Sequence, residues 1–287
     1  FTRVNSPVHN KARFSGESVT AYVAHKGFFT RMNSFMFFEI WKPDLEFVTE
    51  MEALGGILSM AANDNVLYTC SSGGSIQLWD LKTGKNSGTL TSTCYQPQKL
   101  YVDKIEKVLW AGDTEGNVIK FKDDKEIGKF ELVEEVWDLM AVGNMVYTAR
   151  DRDVVVAEVV NGSVKPCAVV KFTHQGRSPL CFLGKNFCFL NRDGRNLCIH
   201  ENNLDKNFPR IKEIVASDLI INAVTYSETG NAVYTGGYDS TVKKWDLNTF
   251  ECLSSNNLGC CINALSFSTK NYLYVARSDG FITKLEC

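Results

Sequence analysis

No run of apolar residues approaches the roughly 18 that a membrane-spanning helix requires, so no membrane insertion is expected. Neither sign of charge is in excess: 31 Lys and Arg stand against 33 Asp and Glu, a formal net charge of −2. That balance excludes nucleic-acid binding through bulk charge and leaves only a local basic patch as a route. Histidine is scarce, limited to His9, His25, His174 and His200, and none pairs with a recognisable nucleophile motif. A GxSxG elbow, a Gly-rich phosphate loop, an HExxH helix and an EF-hand loop are all missing. The chain is therefore read as non-enzymatic, with no cofactor, no resident metal and no small-molecule substrate. It begins at Phe1 with neither Met nor signal peptide, and is read as a piece of a longer multidomain protein. Helical periodicity is almost absent as well, which directs attention to strands.

What is present is an ordinary globular composition, 44% hydrophobic and 22% charged over 287 residues, enough to bury a sizeable core. Cysteine is plentiful: Cys70, Cys94, Cys167, Cys181, Cys188, Cys198, Cys252, Cys260, Cys261 and Cys287. No CxxC pair occurs, and most of these residues lie in apolar stretches, where a free thiol behaves as a small buried hydrophobe. The pattern implies a reduced, intracellular protein. Without a Lys/Arg-rich localisation run, cytoplasm is favoured over nucleus. One quartet, Cys181, Cys188, Cys198 and His200, has ligand types that zinc accepts. Its spacing of six, nine and one intervening residues matches no ligand loop, so it is read as core cysteines with a histidine filling an aromatic position.

A repeat organises the chain. Phe29, Tyr68, Trp110, Tyr147, Phe189, Tyr234 and Tyr274 each sit in a short apolar run, at separations of 39, 42, 37, 42, 45 and 40 residues. The mean, (274 − 29)/6, is 40.8. A second column follows 11 residues later, 12 in the first copy: Trp41, Trp79, Phe121, Glu158, His200, Trp245 and Leu285. Asp- and Gly-bearing turns such as Asp113–Gly116 and Arg192–Gly194 lie between the columns and suit tight hairpins. Adding a strand before and a strand after each hairpin gives seven four-stranded antiparallel sheets. Such sheets cover their apolar faces by packing against one another, so a single domain over residues 1–287 is expected.

At Ser75-Ile-Gln-Leu-Trp79-Asp80 and Thr241-Val-Lys-Lys-Trp245-Asp246 the chain resembles WD40 repeats, and the 40–45-residue period agrees. Only these two copies carry Trp-Asp. The Gly-His pair that opens such repeats is missing throughout, and the acid expected in the turn, six residues before the Trp, is matched by Asp239 and Asp279, with Glu115 as a variant. The resemblance implies an all-β, seven-bladed WD40-type β-propeller with four-stranded antiparallel blades, closed by an N-terminal strand around Thr2–Val4. Deletion of residues 1–12 is then expected to destabilise the whole ring.

The resemblance also places the hairpin turns on one face, the top. There Arg150, Arg192 and Arg277 begin three of the turns, with Arg31, Arg152 and Arg195 nearby. These six arginines and Tyr238 are the candidate ligand site, because a planar guanidinium binds carboxylate or phosphate in a bidentate way. The opposing reading pairs them with Asp151, Asp153, Asp193 and Asp279. The function expected is a protein-interaction scaffold or targeting module whose partners are proteins or peptides, acidic or phosphorylated. RNA binding through the same rim, and a substrate-receptor role in a ubiquitin ligase suggested by Trp79-Asp80-Leu81-Lys82, are the alternatives.

Overall fold

In this computed structural model the backbone of the strands before residue 51 is described, and side chains are described from Met51 onward, with residues 53–55, 64, 104, 133, 161–166, 228, 230 and 269–270 excepted. Two compact units result from the contacts: Phe1–Glu50 with Cys181–Asn202 and Pro209–Cys287, and Met51–Leu180 with Asn203–Phe208.

Among the described residues the regular elements are all strands, in chain order. β1 (Thr2–Val4) comes first and belongs to the last sheet. β2 (Tyr22–His25), β3 (Phe28–Met32), β4 (Phe37–Trp41) and β5 (Phe47–Glu52) pair in sequence. So do β6 (Ile57–Asn63), β7 (Val66–Ser71), β8 (Ile76–Asp80) and β9 (Asn86–Leu90), then β10 (Pro97–Asp103), β11 (Val108–Asp113), β12 (Asn117–Lys122) and β13 (Lys125–Glu131). β14 (Asp138–Val142), β15 (Met145–Ala149), β16 (Asp153–Asn161) and β17 (Pro166–Gln175) follow, then β18 (Arg177–Leu183), β19 (Asn186–Leu190), β20 (Asn196–Glu201) and β21 (Arg210–Val215). β22 (Ile221–Ser227), β23 (Ala232–Gly237), β24 (Thr241–Asp246) and β25 (Cys252–Asn257) form the next sheet. In the last, β26 (Ile262–Phe267), β27 (Tyr272–Arg277) and β28 (Ile282–Glu286) are joined by β1, which pairs antiparallel with β28, Thr2 opposite Glu286 and Val4 opposite Lys284.

The expected count of seven blades is corrected to six. Six sheets are described with side chains that pack, whereas β2–β5 is described only as paired backbone. The aromatic column counts hairpins, whereas the blade count rests on the six sheets whose side-chain packing is described. Packing is seen for the column residues of the six: Tyr68, Trp110, Tyr147, Phe189, Tyr234 and Tyr274 are all buried. Phe29 lies outside the described side chains, as does Trp41.

The cores lie between consecutive sheets. One joins Tyr68 and Leu78 to Leu100 and Phe121, and the next joins Trp110 and Phe130 to Leu139 and Ala157. In the other unit Cys188 and Ile199 pack with Val233 and Trp245, and Tyr234 packs with Leu265 and Val275. Each large side chain so buried contributes about 1.5–3 kcal/mol relative to exposure. Polar links fix the register between neighbouring inner strands. Ser59 Oγ accepts from Leu100 N at 3.1 Å, and Asp138 accepts from Leu180 N at 2.7 Å while holding Lys99 Nζ at 2.8 Å.

Candidate functional site

The hairpin turns repeat one geometry. The fourth residue donates its N–H to the carbonyl of the first: Gly74 to Ser71, Gly116 to Asp113, Gly194 to Asn191, Ser240 to Gly237 and Gly280 to Arg277, at 2.9–3.3 Å. That fourth residue always has positive φ, from +62° at Ser240 to +84° at Gly280. Glycine suits it because the left-handed region costs a side chain energy. At Gly116 a second constraint applies, since a Cβ would stand 2.5 Å from Glu134 N.

The acid that secures the third-copy turn is Asp113, not Glu115. Asp113 is fully buried, accepts from Glu115 N at 3.0 Å and Asn117 N at 2.8 Å, and receives both its oxygens' bonds from Asn117 Nδ2. It also accepts from Tyr95 N at 3.2 Å. Glu115 is exposed. In the sixth copy Asp239 does take this role, accepting from Ser217 Oγ at 3.0 Å and Thr241 N at 3.0 Å, with Lys243 Nζ 3.4 Å away. Ser217 thus occupies the place left by the missing histidine.

The two Trp-Asp copies show why those residue types recur. Trp79 Nε1 donates to Thr69 Oγ1 at 2.9 Å and Trp245 Nε1 to Thr235 Oγ1 at 3.0 Å, satisfying buried polar atoms on adjacent strands. The Asp caps the following turn: Asp80 Oδ1 accepts from Lys82 N and Thr83 N, and Asp246 Oδ1 from Asn248 N and Thr249 N, at 2.7–2.9 Å. Bonds to the charged form hold both carboxyls below their ordinary pKa, the Thr83 N–H being the largest cause at Asp80 and the Thr249 N–H at Asp246.

The predicted arginines separate into different situations. Arg31 lies outside the described side chains. Arg150 pairs with Glu134 at 3.0 Å and Arg152 with Asp151 at 3.4 Å, both in the unit that begins at Met51. Arg277 is spent internally: it bonds Asp279, donates from Nε to Cys260 Sγ at 3.0 Å and from Nη1 to Thr283 Oγ1 at 3.2 Å, with its side chain 12% exposed. Arg195 is exposed and lies 3.7 Å from Asp193. Arg192 is exposed and has no hydrogen bond or ion pair among the described residues. Asp153 takes no arginine among them.

Arg192, Arg195 and Tyr238 are brought to one rim. Gly194 and Arg195 carbonyls accept from Ile221 N and from Ala216 and Ser217 N, and the Ile220 carbonyl accepts from Tyr238 N at 3.0 Å. Gly237 permits the last contact, because a Cβ there would stand 2.2 Å from Ile220 O. Tyr238 is 58% exposed and Leu219 51%, with Ile220 beside them. Tyr238 is expected at this turn from the sequence, whereas Leu219 and Ile220 are not. Two adjacent apolar residues ahead of a strand carry no mark of exposure.

All ten cysteines are free thiols. In the Cys181, Cys188, Cys198 and His200 quartet, burial drives the Cys188 thiol well above its ordinary pKa, and Cys198 is pushed up to about 11. The His200 ring stacks on Phe189 at 5.0 Å and lies 5.6 Å from Phe187. Among the described residues no group of three or more His, Cys, Asp or Glu is placed to hold a metal ion, and no helix is long and apolar enough to cross a membrane.

The family model of the WD domain, G-beta repeat matches residues 210–246. That stretch runs from β21, the outer strand of one sheet, to the Trp245-bearing β24 of the next. This repeat and the series of small four-stranded antiparallel sheets support a WD40-type β-propeller. The crystal structure of the computationally designed Ika8 protein is similar in fold, with a TM-score of 0.71, 17% identity, and 94% of this chain and 83% of that chain covered. WD40 propellers are in general protein-interaction scaffolds, and the repeat at residues 210–246 contains Leu219, Ile220 and Tyr238 of the rim.

Proposed function

We propose that this propeller is a non-enzymatic interaction module that captures an acidic or phosphorylated peptide on the rim formed by Arg192, Arg195 and Tyr238. The observation that carries the reading is Arg192, an exposed guanidinium with no partner among the described residues, set on a turn bonded to the loop that bears Leu219 and Ile220. A planar cation on a turn whose neighbouring loop is bonded to that of an exposed ring suits a carboxylate or phosphate flanked by an apolar residue. Arg277 does not contribute, since it is held by Asp279, Cys260 and Thr283. Among the described candidate arginines of its unit, Arg192 and Arg195 remain for a ligand.

The test is fluorescence anisotropy with a labelled peptide carrying one phosphoserine, its unphosphorylated twin and a 12-mer of single-stranded RNA, against wild type and Arg192→Ala/Arg195→Ala. Preference for the phosphopeptide, weakened at least about tenfold in the variant, supports the reading, about 1.4 kcal/mol. Equal binding of all three probes, RNA preference, or no response to the substitutions defeats it.

A further inference from the structure

A second surface, in the unit that begins at Met51, has the opposite character. Three loops are tied to the buried Asp113. Tyr95 N and Glu115 N reach its carboxylate, and Val136 N reaches its carbonyl at 3.1 Å. The last loop is held down further: Leu132 N bonds the Gly116 carbonyl at 2.7 Å, and Trp137 N bonds Ala149 O at 2.9 Å. Two aromatic residues emerge from these rigid loops, Tyr95 at 63% exposure and Trp137 at 43%. Neither has a ring contact or side-chain hydrogen bond among the described residues. Folding gives no reason to leave these rings partly in water, since apolar area still exposed forgoes about 25 cal/mol per Å² of burial.

The charge around these rings is negative. Glu115, Glu134, Glu135 and Asp151 stand against Arg150 and Arg152, and both arginines already have acid partners. Glu115 and Glu134 are exposed, and Glu135 accepts from Gln98 Nε2, which fixes its carboxylate. We propose that Tyr95 and Trp137 form a docking surface for a basic peptide segment, its lysine or arginine side chains lying over the rings with Glu115 and Glu135, which remain after Glu134 pairs with Arg150 and Asp151 with Arg152, supplying the complementary charge. A cation over an aromatic face is attracted by the ring quadrupole, most strongly by tryptophan. The apolar bodies of the two rings cover the stem of a lysine or arginine, which is itself apolar. An acidic segment would face net repulsion here, so this surface is distinct from the Arg192 rim in residues and in ligand sign, and stands independently of it.

The probe is a fluorescein-labelled nonapeptide alternating lysine with alanine, beside the same peptide with glutamate for lysine, titrated into the full chain at low salt. Binding of the lysine peptide alone is expected, weakened at least about threefold by Trp137→Ala, restored in part by Trp137→Phe, and less salt-dependent in Glu115→Gln. Arg192→Ala/Arg195→Ala leaves this titration unchanged. All substituted side chains are exposed, and equal melting temperatures confirm folding. Lysine-peptide binding that is absent, or identical in Trp137→Ala and Glu115→Gln, overturns the proposal. Loss of phosphopeptide binding at the other rim would leave it standing.

Discussion

Replacing Asp113 by alanine isolates the hub of the third-copy turn. In the folded chain its carboxylate receives five N–H bonds, from Tyr95, Glu115, the Asn117 backbone and the Asn117 side chain to each oxygen. Tyr95 and Glu115 are exposed, so water replaces their lost acceptor at little cost. Asn117 is different: it is 7% exposed, and both its donors would be stranded. A buried donor left unpaired costs about 1–3 kcal/mol, so Asp113→Ala should lose roughly 2–5 kcal/mol. Against a total stability of about 5–15 kcal/mol this is a large share. Urea denaturation followed by circular dichroism measures it as a shift in midpoint at constant slope. The double variant Asp113→Ala/Asn117→Ala sharpens the logic. If the stranded amide is the cause, adding Asn117→Ala recovers part of the loss, a coupling of opposite sign to simple additivity. A loss below about 0.5 kcal/mol, or strict additivity in the double variant, would refute the reasoning.

Two further outcomes follow from group chemistry. The folded-state pKa values of Asp80 and Asp246 are depressed, so each stabilises the chain above the ordinary carboxylate pKa of about 3.9, and that contribution is lost as pH falls through the folded value. Asn at both positions does not titrate, so the stability gap between variant and wild type should shrink from pH 7 to about pH 3; an unchanged gap across that range would contradict the capping role. For the thiols, burial pushes Cys70 up to about 12 and Cys188 well above its usual value, while Cys167 and Cys252 are exposed. A disulfide reagent at pH 8 should label Cys167 and Cys252 quickly and Cys70 and Cys188 only after unfolding; rapid labelling of Cys70 in the folded chain would show that the core opens locally.

Much of the fold was legible because it rests on local periodicity. Alternation along strands of five to seven residues, the aromatic column and the Gly-bearing turns are properties of near neighbours. Their strands appear in register, with Leu67 opposite Trp79 and Val233 opposite Trp245. The two Trp-Asp copies were visible for the same reason, since Trp-to-Thr bonds and Asp caps each span ten residues or fewer. The hub acid was misread as Glu115. A turn acid two places away has the same composition signal, and only burial tells the two apart.

Composition, spacing and turn chemistry by themselves determined that this chain repeats a four-stranded antiparallel unit, that it has no catalytic motif, and that arginines cluster at hairpin turns. Tertiary structure alone decided which faces pack against one another, which Arg lacks a partner among the described residues, and which aromatics stay exposed. Arg277 opens its turn and Arg192 stands second in its own, yet the first is enclosed by Cys260, Thr283 and Asp279 and the second has no partner among the described residues. Tyr95 and Trp137 sit in loops whose sequence does not distinguish them from core aromatics. The physical reason is range. Periodicity is set by backbone geometry within a few residues, whereas pairing and exposure depend on which side chains distant parts of the chain bring alongside.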